Sequence, residues 1–153
     1  MILRRNHRDR RRGATIVEMA FVLSICVLML FGILEYARYL FFMHVATNAT
    51  AAGARYAVVH TGDGTTLANV QAQVNNIMVG QQGYVSSYTV NVFAAQTGVS
   101  PPTIIVGSNW NDPQFGAGIC VQITGTYSFA AASLLGISSV PISVSAVMTS
   151  EAN

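Results

Sequence analysis

The chain has 153 residues, which is enough for one domain and an anchor, and only 9% of them are charged. A typical soluble protein has about 25%. There is no lysine, and six of the eight arginines lie within the first twelve residues, so residues 1–13 carry a formal charge of +5 and the remaining 140 residues carry −3. This composition argues against an ordinary soluble protein. The position of the arginines favours a membrane orientation signal over a nucleic-acid-binding arm.

A long apolar run begins where the arginine cluster ends. The run covers residues 14–34, which is 21 residues, and its last sixteen carry no charge. This length is close to the roughly 20 residues that cross a bilayer as a helix. Arginines that flank a membrane helix stay on the cytoplasmic side. We therefore predict that Arg10, Arg11 and Arg12 are a topology signal within a cytoplasmic basic leader, residues 1–13.

No signal-peptidase site follows the apolar run. Such a site needs small residues close behind the apolar core, whereas the run is followed by Glu35-Tyr36-Ala37-Arg38. We therefore predict an uncleaved, single-pass membrane helix with its amino end in the cytoplasm. Glu35 and Arg38 are three residues apart, so they are expected to pair on one face of a helix.

The apolar helix is expected to continue beyond the membrane. The first proline is Pro101, and good helix formers follow the apolar run. A continuous helix over 14–59 would have 46 residues and a length of about 69 Å. Ala49, Gly53 and Ala57 recur at four-residue steps, which makes a smooth helix-packing stripe where another backbone comes close. The alternative is an alanine-rich helix favoured by propensity alone.

Residues 60–153 are predicted to form an α+β domain. Apolar residues at helical spacing predict a short second helix over 67–79. Alternation with a period of two predicts an antiparallel sheet of three to four strands with one buried face. The candidate strands are residues 88–92, 104–106, 119–129 and 140–148. The second helix or the outer half of the long helix is expected to cover the apolar face, and Cys120 is expected on the solvated face.

No pattern in the sequence predicts catalysis. The three histidines are scattered, whereas metal sites need several ligands at close, regular spacing. The carboxylates are too few and too dispersed for a paired acid and base, and no serine stands in a nucleophile-elbow pattern. We predict no enzymatic activity, no cofactor and no metal. Because Cys26 lies in the apolar run and Cys120 in the distal domain, no disulfide is expected within the chain.

One carboxylate, Glu18, stands inside the apolar run. A charged side chain costs on the order of 3 kcal/mol at the centre of a bilayer and less near its boundary. Two interpretations follow from the residues themselves. The side chain either reaches the interface or pairs with the arginines of its own chain, or it requires a positive partner on another chain.

The junction Gly13-Ala14-Thr15-Ile16-Val17-Glu18 resembles the class III signal of type IV pilins and pseudopilins. The resemblance implies that a prepilin peptidase cuts between Gly13 and Ala14 on the cytoplasmic side. It also implies an assembly role for Glu18, whose carboxylate would meet the new amine of Ala14 on a neighbouring subunit. A free amine supplies the positive charge that a buried carboxylate needs.

A longer stretch resembles the TadE-like proteins of Flp (Tad) type IV pilus systems. The similar motifs are RRGATIVE, FGILEYAR and TNATAAGARYA, within residues 11–58, and a weaker similarity covers 119–151. The resemblance implies a pilin-type helix and a minor pilin or pseudopilin that initiates, caps or decorates an adhesive pilus. The implied partners are the prepilin peptidase, other pilin and pseudopilin subunits, the inner-membrane assembly platform and the lipid bilayer, without nucleic acid. The resemblance also implies a single-pass protein of the bacterial inner membrane with its C-terminal domain in the periplasm, and after assembly the subunit would lie in the extracellular pilus.

A second reading of the chain remains open at this stage. A permanently anchored single-pass envelope protein, whose periplasmic domain is a binding module, has the same membrane helix and the same outer domain. Removal of the leader separates the two, because only a pilin-like subunit is cut after Gly13.

Overall fold

The structure is a computed structural model that describes residues 8–105, 109–111, 118–130, 136 and 139–149, with the backbone alone for 8–12. The described residues form a long helix, a short helix, a 3-10 turn and three strands. In chain order these are α1 (Arg8–Val59), α2 (Leu67–Ile77), the 3-10 turn (Gln82–Tyr84), β1 (Val85–Ala95), β2 (Gly118–Ser128) and β3 (Ser139–Thr149). The predicted α+β fold with a long N-terminal helix is confirmed.

Helix α1 is longer than predicted at its amino end. It has 52 residues and begins at Arg8, six residues before the expected start at Ala14. Arginine is a good helix former, and a single interior glycine costs only about 1 kcal/mol, so Gly13 does not stop the helix. The far end at Val59 agrees with the prediction. Gly62 and Gly64, both with positive φ, follow it and turn the chain.

Helix α2 ends two residues earlier than predicted. Its last residue is Ile77, and the backbone N–H of Met78 still donates to Val74 O at 3.1 Å. Gly80 then takes a φ of 80°, a left-handed conformation that ends a helix at little cost for glycine. Val70 and Val74 are fully buried, and they fix the face of α2 that packs on α1.

The sheet has the order β1-β2-β3 with both pairs antiparallel. Val90 of β1 faces Ile123 of β2, which in turn faces Val144 of β3. The expected strand at 104–106 is wrong within the described residues, since Ile104 makes only an isolated bridge with Ala95. Pro101 and Pro102 supply no backbone N–H, so the ladder does not extend toward the start of this run.

The buried face of the sheet lies against α1, which contacts β2 and β3, and α2 closes the core beside β1. Both elements that were expected to cover this face therefore do so. Alternation along β2 buries Ile123 and Tyr127 as predicted. The expected exposure of Cys120 is wrong, because its side chain is fully buried between Phe93 of β1 and Val147 of β3.

The strands run along the outer half of α1. Near the apolar segment, Arg38 contacts Tyr127 at the end of β2. At the other end of α1, Arg55 lines a groove with Thr149, the last residue of β3. Therefore β2 runs opposite to α1, whereas β1 and β3 run in the same direction as α1.

Candidate assembly site on the long helix

The predicted cleavage junction lies in uninterrupted helix on a bare surface. Gly13 and Ala14 are both exposed, and a Cβ placed on Gly13 would meet no atom within 4 Å. The backbone of Arg10, Arg11 and Arg12 is helical, and their side chains lie outside the described residues. Because Gly13 and Ala14 are exposed, a protease reaches this bond without displacing another described part of the chain. The glycine makes local unwinding of the helix easier.

Glu18 lies one turn beyond Ala14, on the same exposed surface. Among the described residues it makes no ion pair and no hydrogen bond. A carboxylate four residues from a helix start lies in the turn where the helix dipole favours negative charge. Cleavage between Gly13 and Ala14 would make that turn the new helix start.

The surface around Glu18 is apolar on every side of the helix. All residues from Gly13 to Leu34 are exposed, and none of the most apolar 18-residue window is buried by the rest of the protein. Soluble monomers rarely expose more than a few hundred Å² of contiguous apolar surface. This helix is therefore a candidate single membrane span, and it is long and apolar enough to cross a bilayer.

Directly beyond the apolar segment, a polar cluster fastens α1 to the sheet. The Glu35 carboxylate is 9% exposed, and its Oε1 accepts a hydrogen bond from Arg38 Nη2 at 2.9 Å and another from the backbone N–H of Ala130 at 3.2 Å. Arg38 Nε donates to Tyr127 Oη at 3.3 Å, and its guanidinium lies 4.8 Å from the ring centre of Tyr84. The expected pairing of Glu35 with Arg38 is confirmed.

The cluster joins four parts of the fold at one point. It connects α1, the 3-10 turn, the end of β2 and the residue that follows Phe129. The hydrogen bond to Tyr127 is the main cause that raises the pKa of Arg38 above its usual value. Tyr39 packs beside it, edge-on to Tyr127 at 5.3 Å and tilted on Phe129 at 5.8 Å. Sequence reasoning found the Glu35–Arg38 pair but missed the other members, because their contact depends on tertiary packing.

Removal of the Glu35 carboxylate is expected to loosen the outer domain from the helix. Glu35→Ala removes the hydrogen bond from the Ala130 N–H and the ion pair with Arg38, so we expect a loss of about 2 kcal/mol in unfolding free energy. Tyr127→Phe is the matched control, since it removes only the 3.3 Å hydrogen bond and should cost less than about 1 kcal/mol. Denaturant unfolding of the full chain in detergent measures both, and equal effects would show that the carboxylate has no special role.

The stripe of small residues predicted for helix packing is used inside the protein. Ala49 and Ala57 are fully buried. Gly53 lies so close to α2 and β2 that an added Cβ would be 2.5 Å from Val74 Cγ2 and 3.3 Å from Val121 Cγ1. The backbone that approaches α1 here is therefore that of its own domain, and this stripe is not free to receive another subunit.

Both cysteines are free. Cys26 is exposed on the apolar helix, whereas burial raises the pKa of the Cys120 thiol to about 11. A thiol with so high a pKa is almost entirely protonated at neutral pH and is a poor nucleophile. Within the described residues no group of three or more histidine, cysteine or acidic side chains is arranged to hold a metal ion.

Comparison with known families matches one segment of this helix. Residues 13–55 match the model of the TadE-like protein family. Over this segment the chain is TadE-like. The segment begins at the Gly13 junction, contains Glu18 and the Glu35–Arg38 pair, and ends at Arg55. The resemblance predicted from the sequence is thus confirmed for the N-terminal part.

The family match does not extend beyond Arg55. The weaker similarity suggested for 119–151 lies outside the matched segment. No curated protein and no solved structure matches the chain. The comparisons therefore assign no role to the sheet domain.

Proposed function

We propose that this chain is a minor pilin or pseudopilin that initiates, caps or decorates a Flp (Tad) type IV pilus. One observation carries the proposal: the TadE-like segment, residues 13–55, contains both the Gly13–Glu18 junction and the helix whose apolar surface is bare. A bare helix of this kind suits a membrane first and the helical core of a filament afterwards, because both environments exclude water. No catalytic step on a substrate is assigned to the protein.

The proposed processing changes the charge at the helix start. A prepilin peptidase hydrolyses the peptide bond between Gly13 and Ala14, with water supplying the hydroxyl for the glycine carboxylate and the proton for the new amine. The basic leader, residues 1–13, leaves with its +5 charge. The arginines that hold the amino end in the cytoplasm are then gone, and the helix is able to move out of the membrane.

The new amine of Ala14 is the proposed partner for Glu18 of a neighbouring subunit. Within one helix the start of the chain and Glu18 are a single turn apart, so two parallel helices displaced by about one turn bring an amine and a carboxylate together. In an apolar environment each group neutralises the desolvation cost of the other. The same pairing fixes the axial offset between subunits.

The folded outer domain favours a minor subunit over a major one. Major Flp pilins look much shorter and have little more than the pilin helix. In this chain a sheet and α2 cover the outer half of α1. A shaft built of such subunits would carry a domain at every step, so a position at the tip or the base suits this chain better. The proposed partners are the prepilin peptidase, other pilus subunits and the assembly platform in the inner membrane.

Cleavage by a prepilin peptidase tests the proposal directly. We expect the full chain, co-expressed with an active peptidase, to yield a mature protein that begins at Ala14 in mass spectrometry. Gly13→Leu should block the cut. Gly32→Leu is the matched control, because Gly32 is also exposed in α1 with nothing within 4 Å, and this variant should be cut normally.

The opposite result would favour the permanently anchored binding module. An intact leader, in cells where the peptidase cleaves another pilin, would contradict the proposal. Cleavage at a bond other than Gly13–Ala14 would also contradict it, because the position of Glu18 relative to the new amine would be lost.

A further inference from the structure

The two edges of the sheet differ in how their backbone groups are used. On the outer edge of β1, Val90 O accepts a hydrogen bond from Gln71 Nε2 of α2 at 2.9 Å. Further along, Ala94 O accepts from the N–H of Ile105 at 2.9 Å, and the N–H of Gln96 donates to Thr103 O at 3.1 Å. The β1 edge is therefore covered by the chain itself.

The same contacts reveal which residues of β3 point outward. In an antiparallel ladder, residues alternate between bonding one neighbour and the other. Val90 directs its carbonyl outward, so its partner Ile123 bonds with Val144 on the other side. Even-numbered residues of β3 therefore bond β2, and odd-numbered residues face outward. Pro141 is consistent with this assignment. Proline has no N–H to donate, so in a strand its nitrogen has to face away from the neighbouring strand.

The outward backbone groups of β3 form an open ladder. The N–H and C=O groups of Ser143, Ser145 and Val147 have no hydrogen-bond partner among the described residues. From Ser143 to Thr149 this ladder is about 20 Å long. Natural edges are usually blunted by charged side chains, whereas β3 has none and carries only Pro141 near its start.

A groove lies where the end of β3 that is far from the apolar segment meets α1 and two residues that follow β1, Thr97 and Gly98. Its volume is about 780 Å³, and its walls include Val147, Met148 and Thr149 together with Val58 and Arg55 of α1. The Arg55 side chain is exposed, and no carboxylate of the described residues lies within ion-pairing distance of it. The groove thus places one positive charge at the end of an uncharged edge.

We infer that the β3 edge and the Arg55 groove form one docking surface for an extended segment of a different protein subunit. The segment adds a fourth strand to the sheet through the outward groups of Ser143, Ser145 and Val147. The residues of this segment that pair with β3 are uncharged, and the segment carries an aspartate or glutamate where it passes Arg55. The inference depends on the proposed function only for the class of partner, another subunit of the pilus assembly.

A twofold pair of copies of this chain does not fit the surface. If two β3 edges pair antiparallel, the twofold axis is perpendicular to the sheet, and it reverses one α1 relative to the membrane. A twofold axis along α1 keeps both helices inserted but places each β3 N–H opposite the same N–H. The β1 edge of a second copy is already covered at Val90, Ala94 and Gln96. The inference therefore commits to a different chain as the partner.

Hydrogen exchange tests the open edge in the protein alone. For the full chain in detergent, we expect the amides of Ser143, Ser145 and Val147 to exchange rapidly and those of Val144 and Ala146 to be protected. Uniform protection along β3 would show that the chain covers this edge itself and would overturn the inference.

Site-specific photocross-linking tests the partner. A photoreactive residue replaces Ser145 in the full chain in its native membrane, and mass spectrometry identifies the attached peptide. We expect an adduct with an extended, uncharged segment of another pilus subunit that has an acidic residue at one end. Ser143→Pro should lower the adduct yield about tenfold, because it removes an outward N–H. Ser143→Ala is the control that loses the same side-chain contact with Gln122 Nε2, and it should not lower the yield.

Charge variants test the groove. Arg55→Gln should reduce the adduct yield about fivefold and Arg55→Glu further, and a lysine in place of the partner's acidic residue should restore the yield with Arg55→Glu. An adduct with a second copy, or no adduct, would overturn the inference. Gly13→Leu should leave the adduct intact, because the edge is independent of leader removal. The docking surface and the pilin function are therefore able to fail separately.

Discussion

Glu18→Ala is expected to leave cleavage after Gly13 intact and to abolish entry of the subunit into pili. The carboxylate is exposed on a helix whose surroundings are apolar from Gly13 to Leu34. After the proposed cleavage, the amine of Ala14 on a neighbouring helix needs an anion within the apolar segment. Glu18 is the only acidic side chain that the described residues place there. Loss of one member of an ion pair in such an environment leaves the other charged group without compensation, which costs several kcal/mol.

The size of the effect separates a pairing role from a topological one. A loss of only 1.4 kcal/mol per contact already reduces association tenfold, so we expect at least a tenfold drop in the subunit recovered from sheared pili. Glu18→Gln keeps the shape of the side chain and should fail similarly, because the charge is missing. Ser24→Ala is the control on the same helix, since Ser24 Oγ donates only to Ala20 O within its own turn.

Processing and incorporation have to be measured on the same samples. Mass spectrometry of the membrane fraction gives the mature N-terminus, and immunoblots of sheared pili and membranes give the incorporated fraction. Normal incorporation of Glu18→Ala would contradict the proposed pairing. Failure of cleavage in this variant would instead show that Glu18 acts in recognition by the peptidase.

Gly53→Val is expected to destabilise the outer domain by about 3 kcal/mol, a large effect for overpacking. Even a single methyl at this position would be 2.5 Å from Val74 Cγ2, and valine adds two more. Val74 is fully buried and β-branched, so it has little freedom to move aside. The midpoint of thermal unfolding of the full chain in detergent should fall by about 10 °C or more.

Gly32→Val is the matched control for this effect. Both glycines lie in α1, and a Cβ at Gly32 would meet nothing within 4 Å. The same change in helix propensity therefore occurs without a clash, and the unfolding of the outer domain should not change. Equal midpoints for the two variants would show that α1 and α2 do not pack as closely at Gly53 as the structure has them.

The Gly53 contact limits which surfaces of α1 are available to other subunits. The inward face of α1 is committed to its own domain at Ala49, Gly53 and Ala57. Contacts with other subunits are left to the bare apolar segment and to the remaining surfaces of the domain. Among these surfaces, the edge of β3 has outward backbone groups without a partner in the described part of the chain, and it is the one we propose for docking.

Much of the long helix was predictable because its signals are local. An uncharged run of bilayer length, the absence of proline before Pro101 and the glycines after Val59 fixed its existence and its outer end. The start at Arg8 was not predicted, because a single glycine among good helix formers is a weak barrier. The candidate site at Gly13 and Glu18 was likewise readable from adjacent residues.

The sequence alone determined the charge division, the apolar helix, the TadE-like motifs and the alternating strands, since each depends on neighbours a few positions apart. Only the tertiary structure decided that Cys120 is buried, that the stripe at Gly53 receives the protein's own domain, and that Glu35 bonds to Ala130 across the fold. It also decided that β1 is covered, whereas the outward groups of β3 have no partner among the described residues. These features depend on residues far apart in sequence, which local spacing does not specify.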